Sequence, residues 1–128
     1  MASPATRQLA AVLPLALLGA VVIASASATR RTEAEADRSG KRIFEQRCAT
    51  CHSTGEGAAQ GPGLGGIVGR EAAATQFGYS PALRRAHLTW DRPTLDRFLA
   101  APQRLVPGTT MPTAVADETD RHAVLDYL

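Results

Sequence analysis

The chain has 128 residues, too few for more than one ordinary domain beyond a targeting segment. Only 5% of residues are aromatic and 11 are glycine, a thin stock for a self-sufficient apolar core. The formal charge of +2 arises from 14 basic and 12 acidic residues scattered among one another, a pattern that excludes a nucleic-acid binder built on a basic run. Lys41 is the only lysine.

The chain opens with one positive charge, Arg7, followed by an apolar run from Leu9 to Ala24 that only Pro14 and Gly19 interrupt. Ala24-Ser25-Ala26 and Ala26-Ser27-Ala28 then offer the small-x-small pattern of a signal peptidase site. Residues 1–28 therefore read as a secretory signal peptide, with the mature chain starting at Ser27 or Thr29. The competing reading is an uncleaved anchor, although the run falls short of the roughly 20 apolar residues a spanning helix needs. Residues 29–36 are charged and lack apolar periodicity, and read as a flexible leader. A domain is expected over 37–128.

A first helix is expected from about Ser39, as N-cap, into the cysteines. Gly40, Phe44 and Cys48 recur every four residues and share one face. Glycine inside a helix costs about 1 kcal/mol relative to alanine, so Gly40 asks for a close helix crossing. Cys48-Ala49-Thr50-Cys51-His52 follows. Thiols at this spacing can form thioethers to the two vinyl groups of one haem, while the adjacent imidazole reaches the iron from the same side. The pair also suits a redox dithiol, half of a zinc site or a disulfide. A zinc site would want two more ligands, and His87 and His122, otherwise ordinary surface residues, come with no second cysteine pair.

Beyond His52 the glycines at 55, 57, 61, 63, 65, 66 and 69 exclude a helix and suggest backbone pressed against something bulky and flat. A phosphate loop does not fit, because no strand precedes them and no Gly-Lys-Ser/Thr follows. Ser80-Pro81 is an N-cap with an N1 proline, giving a short helix to about Arg85. Asp91 caps another helix with Leu95, Phe98 and Leu99 on its inner face, stopped by Pro102. Met111 lies between Pro107-Gly108 and Pro112, where a stiff non-helical loop can hold a thioether in a fixed place. Asp117 or Thr119 caps a last helix in which Val124, Tyr127 and Leu128 form an apolar stripe, and Tyr127 is expected to lie over Gly40. The fold class is all-α: three main helices and long loops.

Cys48 to His52, Gly61-Pro62-x-Leu64, Gly69-Arg70, Phe77-x-Tyr79, Trp90 and Pro107-Gly108-Thr109-x-Met111 occur in an order and spacing that resembles class I c-type cytochromes, the mitochondrial cytochrome c and bacterial cytochrome c2 branch. The resemblance covers about Asp37 to Leu128. It implies the small cytochrome c fold around one covalent haem c, with Cys48 and Cys51 as attachment points and His52 and Met111 as iron ligands. It also implies that Pro62 accepts from His52, that Arg70, Tyr79 and Trp90 hold the haem propionates, and that Thr109 belongs to the binding set. The sequence departs from the family where the His52–Pro62 loop is about two residues shorter than the mitochondrial form. Phe98 stands where many members have a tyrosine that meets the methionine sulfur, Thr113 replaces an aromatic residue at the haem edge, and the docking lysines of mitochondrial relatives are missing.

The expected function is that of an exported, periplasmic and monomeric electron carrier rather than an enzyme, moving single electrons in a respiratory or photosynthetic chain. Its partners would be a cytochrome bc1-type donor and an oxidase or reaction-centre acceptor. The alternatives are a haem peroxidase or gas sensor with a labile Met111, an electron-transfer subunit of a larger periplasmic oxidoreductase, and a thiol oxidoreductase without haem.

Overall fold

A computed structural model describes residue 32 and residues 35–57 and 60–128. The chain divides into two units, Met1–Thr32 and Glu33–Leu128, and the second is the one described here. The signal peptide expected over 1–28 lies outside the described residues, as do residues 29–31 of the leader.

Helix α1 occupies residues 35–47. It therefore starts at least four residues before the expected cap, and Ser39 sits inside it, half-buried. The physical reason lies in Glu35 and Ala36, since glutamate and alanine are strong helix formers and sustain the helix ahead of Ser39. The inner face carries Gly40, Ile43 and Phe44, with Ile43 2% and Phe44 5% exposed. The chain then tightens into a turn, in which the Cys51 and His52 N–H groups both donate to the Cys48 carbonyl, at 3.0 and 2.9 Å.

Helix α2, Pro81–Arg84, begins at Ser80, whose hydroxyl accepts from the Leu83 N–H at 3.1 Å. Helix α3, Arg92–Ala100, begins at Asp91, whose carboxylate accepts from the Thr94 N–H at 2.7 Å and buries Thr94, Leu95 and Phe98. Pro102 ends α3 as expected, but it also opens a further short helix, α4, Pro102–Leu105. The fixed φ of proline suits a first helical position, so one residue both stops α3 and starts α4.

Helix α5, Glu118–Tyr127, is capped by Asp117 rather than Thr119, through a 2.9 Å bond from the Asp120 N–H. It crosses α1 at Gly40, where an added Cβ would stand 2.1 Å from the Ala123 carbonyl oxygen and 2.8 Å from the Tyr127 Cβ. The rings of Phe44 and Tyr127 meet beside this point at 5.7 Å, tilted by 54°. Arg121 of α5 is buried and donates to Asp96 of α3 at 2.6 Å, and Arg92 pairs with Asp126, tying α3 to α5. Among the described residues the only β feature is one isolated bridge, Glu71 to Thr89. The core falls into two clusters, one of Ile43, Phe44 and Val124 and one built on Trp90, Leu95 and Phe98.

Candidate functional site

Between the two clusters lies a cavity of about 350 Å³, within the ~300–1,000 Å³ of ordinary cofactor pockets. All nine site residues expected from the sequence line it: Cys48, Cys51 and His52 from the turn after α1, Pro62 and Arg70 from the glycine-rich loop, Tyr79 and Trp90 from either side of α2, and Thr109 and Met111 after α4.

His52 Nδ1 lies 2.8 Å from the Pro62 carbonyl. A carbonyl only accepts, so Nδ1 carries a proton, and the neutral tautomer that makes this contact has its lone pair on Nε2. Gly61 makes this contact possible, since a Cβ there would fall 2.6 Å from His52 Cε1 and Nδ1. The other crowded glycines have a different reason from the one expected. Added Cβ atoms at Gly63 and Gly65 would meet the carbonyl oxygens of Gly55 and Thr54 at 1.8 and 2.0 Å, so two stretches of the loop's own backbone press together.

Arg70 ties the same loop. Its guanidinium donates to the Gly63 carbonyl at 2.9 Å and to the Gly65 carbonyl at 2.5 Å, leaving three of its five N–H donors. The Tyr79 hydroxyl shares a 2.5 Å hydrogen bond with Thr75 Oγ1. Trp90 is only 6% exposed and packs at 4.9 Å on Phe98, yet its indole N–H has no hydrogen-bond partner among the described residues. Because no sealed side-chain nitrogen or oxygen among the described residues lacks a partner, that N–H is not sealed off, and Trp90 is one of the residues walling the cavity. Thr109 is 5% exposed and its Oγ1 accepts from the Met111 N–H at 3.4 Å, which leaves the hydroxyl proton free to donate. His87 and His122 are exposed.

Cys48 and Cys51 are free thiols. Burial pushes the Cys48 thiol up, with the positive charge of Arg47 partly opposing it. A reactive dithiol or a zinc thiolate wants the opposite shift. Among the described residues no cluster of three or more His, Cys, Asp or Glu side chains is placed to hold a metal ion, as a zinc site would need.

Two residues of the site's frame were missed from the sequence. Gln103 on α4 donates to the Thr109 carbonyl at 2.5 Å and accepts from the Gly108 N–H at 3.3 Å. Arg121 donates to the carbonyls of Val115 and Ala116 at 3.1 and 2.7 Å. The proline that starts α4 is the only sequence signal that could have pointed to the first, and a lone arginine one turn before Val124 on a buried helix face the only one for the second.

A helical frame around one cavity that presents two thiols, an oriented imidazole, a thioether and an unpaired indole N–H defines a protein built to hold a haem and to carry electrons with it. The family model for cytochrome c matches residues 38–128. The chain is 40% identical over 93 residues to cytochrome c2 of Rhodoblastus acidophilus, an alignment spanning 70% of this chain and 86% of that one. It is 35% identical over 120 residues to cytochrome c2 of Rhodomicrobium vannielii, spanning 91% and 93%. Among solved structures it is similar to cytochrome cH from Methylobacterium extorquens, with a TM-score of 0.65 and 32% identity, covering 70% of this chain and 93% of that one. The chain belongs to the cytochrome c family, and with that membership come a covalent haem c and the role of a monohaem electron carrier.

Proposed function

We propose that the carrier is an exported shuttle in which Cys48 and Cys51 would hold the haem through thioethers, His52 and Met111 would ligate its iron, and Pro62, Arg70, Tyr79, Trp90 and Thr109 would complete the pocket. The observation that carries this reading is the 2.8 Å contact between His52 Nδ1 and the Pro62 carbonyl, which fixes the tautomer and leaves Nε2 as a ligand. When bound, the haem supplies a one-electron couple between ferrous and ferric iron. Met111 offers a neutral thioether, which as an iron ligand would favour the ferrous form relative to a second imidazole and would deny peroxide or a small gas a place to bind. Trp90, Thr109, Tyr79 and the remaining donors of Arg70 offer N–H and O–H groups to the propionates.

No bond of a substrate is made or broken in this reading, so the chain is a carrier and not an enzyme. A periplasmic location is supported by the signal-like N-terminus and by the Rhodomicrobium alignment, which reaches well before residue 38 because it covers 91% of this chain. No helix among the described residues is long and apolar enough to cross a membrane. The partners are a bc1-type donor and an oxidase or reaction-centre acceptor. The absorption spectrum of the holoprotein tests the ligand set. A low-spin c-type spectrum with the weak sulfur-to-iron band is expected, and a high-spin spectrum would overturn it. N-terminal sequencing of the periplasmic protein should give Ser27 or Thr29.

A further inference from the structure

Met111 lies in a short stretch, 110–114, that is fixed at both ends. The downstream end is locked into the fold. The Val115 N–H donates to the Leu99 carbonyl at 2.8 Å, and the buried Arg121, itself held by Asp96 at 2.6 Å, takes the carbonyls of Val115 and Ala116.

The upstream end is held differently. The Thr109 N–H closes a turn on the Val106 carbonyl at 3.0 Å, and Gly108 takes the left-handed conformation at φ 89°. Beyond that turn two side chains hold it: the buried Thr109, whose Oγ1 accepts from the Met111 N–H at 3.4 Å, and the exposed Gln103. The Gln103 carboxamide donates through Nε2 to the Thr109 carbonyl at 2.5 Å and accepts through Oε1 from the Gly108 N–H at 3.3 Å. The amide offers a donor and an acceptor on one planar group, matched here to the acceptor and donor of two consecutive residues. A carboxylate lacks the donor and an ammonium lacks the acceptor.

We propose that Gln103 is a positioning residue for Met111: its carboxamide closes the upstream end of the Met111 loop and limits the excursions in which the thioether leaves the cavity. The inference rests on Met111 as the distal ligand, the reading given under the proposed function. Loss of one such bond changes an opening equilibrium by roughly three- to tenfold, and the apparent affinity of an exogenous ligand scales with the open fraction.

The test compares five holoproteins: wild type, Gln103→Glu, Gln103→Ala, Arg104→Gln and Met111→Ala. Arg104 is the exposed neighbour on α4, and its substitution changes the charge by the same unit as Gln103→Glu. Imidazole binding and the hydrogen exchange of the Thr109 and Met111 amides are measured in each. Both should rise roughly three- to tenfold in the two Gln103 variants and stay at the wild-type value in Arg104→Gln. Gln103 variants that match Arg104→Gln in both measurements overturn the proposal. If imidazole instead binds wild type and Met111→Ala with equal affinity, the ligand assignment is what fails, and the amide exchange of Gln103→Glu still decides whether the clamp exists.

Discussion

A Cβ at Gly61 would lie 2.6 Å from two atoms of the His52 ring and 2.7 Å from the Cys51 carbonyl oxygen, against a carbon contact distance of ~3.5–4.0 Å. The ring cannot retreat without breaking its bond to Pro62. Gly61→Ala should therefore cost about 1–3 kcal/mol and perturb the haem absorption spectrum, whereas Gly55→Ala, whose Cβ meets nothing within 4 Å, should leave the spectrum unchanged. Met111→Ala belongs to the same scale. It should abolish the sulfur-to-iron band, admit imidazole or carbon monoxide and lower the reduction potential by on the order of 0.1–0.2 V, a fraction of the ~0.8 V that axial ligands span. Phe98 is buried against Trp90 and has no hydroxyl to give the sulfur, so Phe98→Tyr should strengthen the band. Cys48, Cys51 and His52 were legible in the sequence because their chemistry fixes both type and spacing, whereas Pro62, Arg70, Tyr79, Trp90 and Thr109 came only from the resemblance to the family. Gln103 and Arg121 were not legible, because what they hold in the Met111 loop is backbone carbonyls and an N–H, which every residue carries and which leave no trace in a sequence.

The helices divide in the same way. Ser80, Asp91 and Asp117 were readable because a cap is a local event, one side-chain oxygen and an N–H three residues on. The start of α1 was misplaced because Ser39 has the composition of a cap but lies where Glu35 and Ala36 already sustain a helix, and composition cannot rank the two. Helix α4 has four residues and no side-chain cap bond, and it is held by tertiary contacts at the buried Pro102 and Val106. The α1–α5 crossing was legible through one glycine. Alanine at Gly40 would gain about 1 kcal/mol of helix propensity, yet its Cβ would stand 2.1 Å from a backbone oxygen of α5, which cannot rotate away as a side chain can. Gly40→Ala should therefore be net destabilising by about 1–3 kcal/mol, and Gly40→Val by more, read as a lower midpoint in thermal melts followed by circular dichroism. The cap of α3 gives a pH signature. Hydrogen bonds from Thr94, side chain first and then backbone, hold the Asp91 carboxyl below the usual carboxylate range, with Arg97 adding to the effect. Its folded pKa lies below the unfolded value of about 3.9, so its contribution is present above that pH and is lost as pH falls through the folded pKa. The gap in melting temperature between wild type and Asp91→Ala should be widest above pH ~4 and should narrow below it.

For the molecule as a whole, the decisive quantity is the size of the cavity against the size of the core. Its walls include Trp90, Leu95 and Phe98 from one apolar cluster and Val124 from the other, and Leu64, Leu99 and Leu128 pack against both. The two clusters thus meet across the space proposed for the haem. A chain unable to attach haem has to fold around that space. Left without its occupant, a space of about 350 Å³ deprives its apolar walls of packing partners, a loss set against the ~5–15 kcal/mol that stabilises an ordinary domain. Replacing both attachment points, Cys48→Ala with Cys51→Ala, should therefore leave a chain with little helix, no cooperative thermal transition and rapid proteolysis. A thiol oxidoreductase that needed no haem would lose activity from the same substitutions and keep its fold, so the two readings separate on helix content alone. A single substitution, Cys48→Ala, retains one thioether from Cys51 with His52 beside it and should give a folded holoprotein that melts at a lower temperature than wild type. Recovery of the double variant as a stable, cooperatively melting apoprotein would mean that the helices collapse onto one another and close the cavity, and that the haem is a passenger of this fold rather than part of its core.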